Sequence, residues 1–181
     1  MWWLSTALAA EPCDALRVDL PADERFAQGV VVVDKSDRRI GFVQSNEIVG
    51  CWPVGLGGGG DAGAKERRGD LRTPEGWYRT SDKPWSRFYG ALALAYPNED
   101  DARRGLAAGR ITRSQHDAIV GAVRRGSSPP QSTPLGGDIL VHGGGSGSDW
   151  TLGCIALDDA DLDVLRALLS PDRRSWIYIR P

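Results

Sequence analysis

The chain has 181 residues, 41% hydrophobic and 25% charged, with 22 Lys and Arg against 24 Asp and Glu and a net charge of −2. That length suits one domain with a sizeable core, and the scattered positive charge gives no footprint for nucleic acid. No apolar run is long enough to span a bilayer. The 23 glycines point to many turns and a strand-rich fold.

Met1 to Ala10 is apolar and carries Ala7-Leu8-Ala9, the Ala-x-Ala pattern that signal peptidase cuts after. It lacks a basic start and is short for a full export signal, so residues 1–10 are expected to be a truncated signal segment. A packed or free tail is the alternative. Residues 11–28 read as an N-terminal extension and 29–181 as the domain. In an exported chain, counting alone pairs Cys13 with Cys51 and leaves Cys154 as the odd thiol.

Val30 to Asp34 reads as a strand, and Arg39 to Gln44 as its hairpin partner across the polar turn Lys35-Ser36-Asp37-Arg38. Glu47 to Val54 is a third strand, with Pro53 near its end. The glycine run from Gly55 opens a long loop to Gly76. It is not a phosphate-binding loop, because Lys65 precedes Glu66 rather than Ser or Thr. Lys65-Glu66-Arg67-Arg68 reads as a solvated face. Thr73-Pro74-Glu75-Gly76 turns into the strand Trp77 to Thr80. Arg87 to Tyr96 reads as another strand, with Phe88, Leu92 and Leu94 on one face.

The pattern then becomes helical. Asp100 to Ala108 stops at Gly109, and Thr112-Arg113-Ser114-Gln115 is a capping box opening a helix that ends before Gly126. His116, on that helix, reads as a surface or packing histidine. A Pro/Ser loop leads to Asp138-Ile139-Leu140-Val141, a buried strand ending at His142. After Cys154, Asp158-Asp159 cap a helix whose Leu162, Leu165, Leu168 and Leu169 form a core stripe. Trp176 to Ile179 closes the chain as a strand.

The chemistry concentrates between His142 and Cys154. Two apolar runs flank the glycine-rich loop Gly143-Gly144-Gly145-Ser146-Gly147-Ser148, so two strand ends can bring a thiol beside an imidazole. An imidazolium there lowers the thiol pKa and yields the thiolate that attacks carbonyls. The alternative is an inert buried cysteine, which packs as a small hydrophobe. A loop this rich in glycine packs little, which favours access or close backbone approach. Gly153 leaves its N–H open to a developing oxyanion. Thr151 either orients the imidazole or substrate, or bonds its own backbone. Trp150 either walls the pocket or packs in the core. Asp138 and Asp149 flank the two segments as candidate partners of His142 or as turn carboxylates. With two histidines far apart and no Cys-x-x-Cys, a zinc site is not expected.

His142-Gly143 followed by Thr151-Leu152-Gly153-Cys154 resembles the signature of the L,D-transpeptidase catalytic domain, the YkuD-like fold. Gly69-Asp70-Leu71-Arg72-Thr73-Pro74-Glu75-Gly76 is similar to that family's lead into a central strand. Tyr96-Pro97-Asn98, the helical insert and Asp149-Trp150-Thr151 resemble its YafK-like branch. The chain departs at Leu152, where the family commonly has His, and at Ala156 or Leu157, where it commonly has Arg or Asn. The resemblance covers about residues 29 to 180. It implies a mainly β fold with helices (α+β), a β-sandwich or barrel with a helical and Pro/Ser insert over 98–134 and a helix after the cysteine.

The resemblance further implies a peptidoglycan stem peptide as partner, export to the periplasm or envelope, and no cofactor. Cys154 would be the nucleophile and His142 the base, with Gly153 and Thr151 supporting them and Gly143, Trp150, Tyr96 and Tyr78 as substrate contacts. An amine acceptor makes the reaction a transfer, and water makes it a hydrolysis. A non-catalytic cell-wall binding module and a redox thiol protein are the competing classes. Oligomeric state is not legible.

Overall fold

A computed structural model describes residues 13–20, 23–59 and 63–181; the expected signal segment at 1–10 lies outside the described residues. Eight strands form one mixed sheet among them. In chain order these are β1 (Val30–Asp34), β2 (Arg39–Gln44), β3 (Glu47–Pro53), β4 (Gly76–Asp82), β5 (Leu92–Leu94), β6 (Leu140–His142), β7 (Ile155–Ala156) and β8 (Trp176–Arg180). The spatial order is β3-β2-β1-β8-β4-β5-β6-β7. The fold is α+β, a half-barrel in which the sheet curls until its two edges approach. Just past β3, Gly55 and Ala156 of β7 exchange N–H···O bonds of 2.9 and 2.8 Å.

Alternation sorts the side chains. Tyr78, Leu92, Leu94, Val141, Ile155, Ile177 and Ile179 face the concave side, where helix α3 (Asp159–Leu168) closes the core with Leu162 and Leu165. The all-valine run of β1 is buried on both faces: Val31 and Val33 inside, and Val30 and Val32 against Leu16 of the N-terminal segment. A disulfide between Cys13 and Cys51, Cα atoms 6.0 Å apart, fastens that segment to β3. Cys154 is the free cysteine among the described residues.

Helices α1 (Glu99–Ala107) and α2 (Arg113–Arg124) form the insert around Ala102, Ile111, Ile119 and Leu135. Both begin in complete capping boxes, Asn98 with Asp101 and Thr112 with Gln115, which satisfy otherwise orphaned backbone donors. No helix among the described residues is long and apolar enough to cross a membrane.

Four local expectations are corrected. The strand expected over Arg87–Tyr96 shrinks to Leu92–Leu94, because the chain turns at Gly90 (φ +55°), where a Cβ would meet Leu162 at 2.8 Å. Lys35, read as part of a polar turn, is buried and pairs with Glu75 at 2.5 Å. Lys65, read as a solvated residue, is buried against Asp70 at 2.7 Å. Asp158 stands at the N-cap of α3 but makes no side-chain cap; its Oδ1 accepts from Ser146 N–H instead.

Candidate active site

β6 and β7 run parallel, joined by residues 143–154, with Val141 opposite Ile155 and His142 opposite Ala156. Since Val141 and Ile155 face the core, Leu140, His142, Cys154 and Ala156 share the outer face. Cys154 sits beside Leu140, two residues behind His142, which places the two Cα atoms roughly 8 Å apart from strand spacing and rise. The Leu140 N–H donates to Cys154 Sγ at 3.4 Å, and the thiol faces the Asp138 carbonyl at 3.7 Å. Among the described residues neither contact of the thiol is with the imidazole.

His142 is 1% exposed. Its ring stacks on Phe88 at 4.4 Å between centroids and meets Trp150 edge-on at 5.6 Å. Its Nδ1 lies 2.6 Å from the Gly143 carbonyl oxygen. A carbonyl only accepts, so this bond puts the proton on Nδ1 and leaves Nε2 with the lone pair. Burial lowers the imidazole pKa, opposed by the bond to Gly143. Burial also raises the Cys154 thiol, against the Leu140 N–H that lowers it. Both shifts favour a neutral pair at rest. Desolvation in this pocket works against the expected imidazolium–thiolate pair.

The loop between the pair is held by two carboxylates on the first residues of the α3 end. Asp159 Oδ1 accepts from Gly144 N–H at 2.9 Å, and Asp158 Oδ1 from Ser146 N–H at 3.0 Å. A Cβ on Gly143 would lie 2.1 Å from Asp159 Oδ1, so the residue after the histidine has no room for a side chain. Trp150 folds back onto the loop, its Nε1–H donating to Gly145 O at 3.1 Å, and stays 45% exposed.

The profile of the YkuD family, described as the L,D-transpeptidase catalytic domain, matches residues 28–177, most of the chain. The chain belongs to this family. YafK of Escherichia coli (strain K12) is 43% identical over 49 residues, which is 25% of this chain and 20% of that protein. Two solved structures share the fold. One is the helical cell shape determining protein Pgp2 (K307A mutant) from Campylobacter jejuni, with TM-score 0.54 and 23% identity over 88% of this chain. The other is Bd1075 of Bdellovibrio bacteriovorus, with TM-score 0.54 and 22% identity over 91%. The chain spans about half of each of those structures, 51%, and a fifth of YafK.

Within the L,D-transpeptidase domain the remaining expected site residues separate. Thr151 is buried and serves its own backbone: its hydroxyl donates to Cys154 O at 2.7 Å and accepts from Gly153 N–H at 3.1 Å. The Gly153 N–H is thereby occupied and not open to an oxyanion. Gly153 has φ +126°, and a Cβ there would strike Arg72 O at 2.6 Å, so glycine is needed for the turn itself. Gly143 is buried and touches the site through its carbonyl. Tyr78 and Tyr96 are 1% and 0% exposed, with hydroxyls donating to Asp101 and to Leu135 O, which leaves no surface for a ligand. Asp149 binds Arg38 and the Leu56 N–H, Asp138 pairs with Lys83, and His116 sits beside Asp117 on α2. None of the three reaches His142.

Phe88 and Asp159 are the residues that sequence reading missed. The sequence pattern puts Phe88 in a strand, whereas its stacking on His142 follows from the turn at Gly90. Asp159 carries a capping signal, and its partner, Gly144, is 15 residues upstream. Among the described residues no group of three His, Cys, Asp or Glu is placed to hold a metal.

Proposed function

We propose that this chain is a cysteine-dependent L,D-transpeptidase acting on peptidoglycan stem peptides in the cell envelope. The observation that carries the reading is the placement of a half-buried thiol and a tautomer-fixed imidazole on one outer face, at the ends of a parallel strand pair. Family membership supplies the substrate class. The disulfide fits an oxidising compartment.

In this mechanism a donor stem peptide places its scissile carbonyl over Cys154. His142 Nε2 takes the Sγ proton as sulfur attacks the carbonyl carbon, so the thiolate exists only as the bond forms. A neutral resting pair suits that order and spares the thiol from unproductive oxidation. The Cys154 N–H carries no bond among the described residues and is the candidate donor to the oxyanion. Collapse expels the amine, which leaves with the proton from Nε2, and a thioester remains. An acceptor amine then gives up a proton to Nε2, attacks the thioester and restores the thiol. Water in its place gives hydrolysis.

The test is mass spectrometry of tetrapeptide muropeptides incubated with the wild type and with Cys154→Ala. The expected result is crosslinked dimers, or exchange of terminal D-alanine for an added D-amino acid, with the wild type alone. Tripeptide without dimers in the wild type would replace transfer by hydrolysis. Equal product from Cys154→Ala would overturn the mechanism.

A further inference from the structure

A sizeable cleft lies away from the thiol. It measures about 630 Å³, and a second of about 460 Å³ adjoins it. The two share four lining residues: Arg25, Arg79, Arg174 and Trp176. The larger cleft adds Arg124 and has no Asp or Glu in its lining. The larger cleft thus gathers four arginines, on a chain whose net charge is −2, while Glu24 and Asp172 line the adjoining one. The charges are unequally engaged. Arg124 pairs with Glu99 and Arg25 with Asp23, while Arg174 reaches Asp172 only at 3.7 Å. Arg79 is exposed and makes no ion pair among the described residues; its guanidinium lies over the Trp176 ring at 4.8 Å. That stack holds the planar fork in place with donors unspent, a preorganised arrangement for a carboxylate.

Strand register places this cleft on the same outer face as the thiol. Trp176 is opposite Arg79, Ser81 opposite Ala93, and Ala93 opposite Leu140, whose N–H contacts Cys154 Sγ. Arg79 and Ser81 alternate onto one face, so the path from sulfur to arginine crosses Leu140, Ala93 and Ser81. Ala93, Ala95 and Ser81 are small and half-exposed, so no bulky side chain of β4 or β5 blocks the way, while Leu140 beside the thiol is buried and the cleft itself stops at Ser81 and Ala95. Three strand spacings separate β7 from β4, about 14 Å, and Arg79 stands two residues further along β4, so the span is about 16 Å, the length of roughly five extended peptide residues.

We infer that Arg79 and Arg174, with Arg25 beside them, form a remote subsite that binds a carboxylate of the peptide whose reacting end lies at Cys154. The ligand class rests on the function proposed above, while the anion site rests on the arginines alone. The subsite acts on binding: it anchors the far end of a multi-carboxylate peptide and favours such peptides over amidated ones.

The experiment is isothermal titration of the full chain carrying Cys154→Ala, which cannot turn over, with a soluble stem tetrapeptide and with its carboxyl-amidated counterpart. Adding Arg79→Gln and Arg174→Gln together is expected to weaken the free-acid peptide about tenfold, the loss of one net charge-assisted contact. The amidated peptide should bind both proteins alike, and raised salt should erase the difference. Arg79→Lys, which keeps the charge and loses the fork, should fall between. Unchanged thermal midpoints, and unchanged iodoacetamide alkylation of the same arginine variants with Cys154 retained, establish that the variants fold. Equal affinity of the free-acid peptide for parent and double variant would overturn the subsite, as would failure of the parent to bind it. Arginine-dependent binding without acyl-enzyme formation by the wild type would leave the subsite and remove the catalytic reading. Acyl-enzyme formation with the same peptide dependence in wild type and arginine variants would do the reverse.

Discussion

At the scale of single residues, the site depends on backbone groups being committed correctly. The Gly143 carbonyl fixes the tautomer of His142, and the Leu140 N–H rests against the thiol. Thr151 closes the turn before Cys154 by accepting from Gly153 and donating to the Cys154 carbonyl. Thr151→Val keeps the shape and removes both bonds, leaving a buried N–H and a carbonyl without that partner. The expected cost is about 2 kcal/mol of stability, read as a lower urea midpoint with unchanged slope. Turnover should fall as well, since the turn positions the Cys154 N–H. Thr151→Ser, which restores the hydroxyl, should recover most of both.

At the scale of elements, the decisive unit is the glycine loop pinned by α3. Its glycines pack little, so its shape is set from outside, by Asp158 and Asp159 reaching back to Ser146 and Gly144. The same loop carries Trp150 against the imidazole. Asp159→Ala frees the Gly144 N–H to solvent and opens space under Gly143. We expect turnover to drop about tenfold, equivalent to about 1.4 kcal/mol in the barrier, with a small change in thermal midpoint because the core side of α3 is untouched. A variant with wild-type turnover would show that the loop holds its shape without the carboxylate.

At the scale of the whole molecule, buried polar links and a disulfide fasten segments outside the sheet. Burial pushes the Asp70 carboxyl upward, but the Lys65 ammonium and the backbone N–H groups of Glu66, Arg67 and Arg72 outweigh it and hold it below the ordinary value. A carboxyl lowered in the folded state contributes stability that is present above its unfolded value, near 3.8, and is lost as pH falls through the lower folded value. Asp70→Asn should therefore cost about 3–5 kcal/mol at pH 7, because Lys65 is left buried without its partner. The difference from wild type should narrow on acidification below the ordinary carboxylate range, as read by urea titration at several pH values. The disulfide acts on the unfolded chain. Its ends are 38 residues apart, so Cys13→Ser with Cys51→Ser should cost about 4 kcal/mol by the chain-entropy relation. A loss near zero in chemical denaturation would mean that the N-terminal segment adds little to the fold.

The sequence by itself determined the elements with strong local signals. The valine run of β1, the capping box at Thr112, the leucine stripe of α3 and the closing strand at Trp176 all carry their reasons within a few neighbouring residues. His142 and Cys154 were legible because His142 ends one apolar run and Cys154 opens the next, each beside a glycine. Only the tertiary structure decided what those groups touch. Lys35 looks solvated until distant Glu75 pairs with it, Lys65 until its loop folds Asp70 back onto it, and Tyr78 and Tyr96 resemble pocket residues until the half-barrel closes over them. Phe88 reaches the imidazole through a turn, Asp159 reaches the loop across the fold, and the arginine cleft gathers residues from five separated stretches of chain. Local propensity is written in adjacent residues; the charges, stacks and backbone bonds that set a site's chemistry depend on strands that meet only after the sheet has curled.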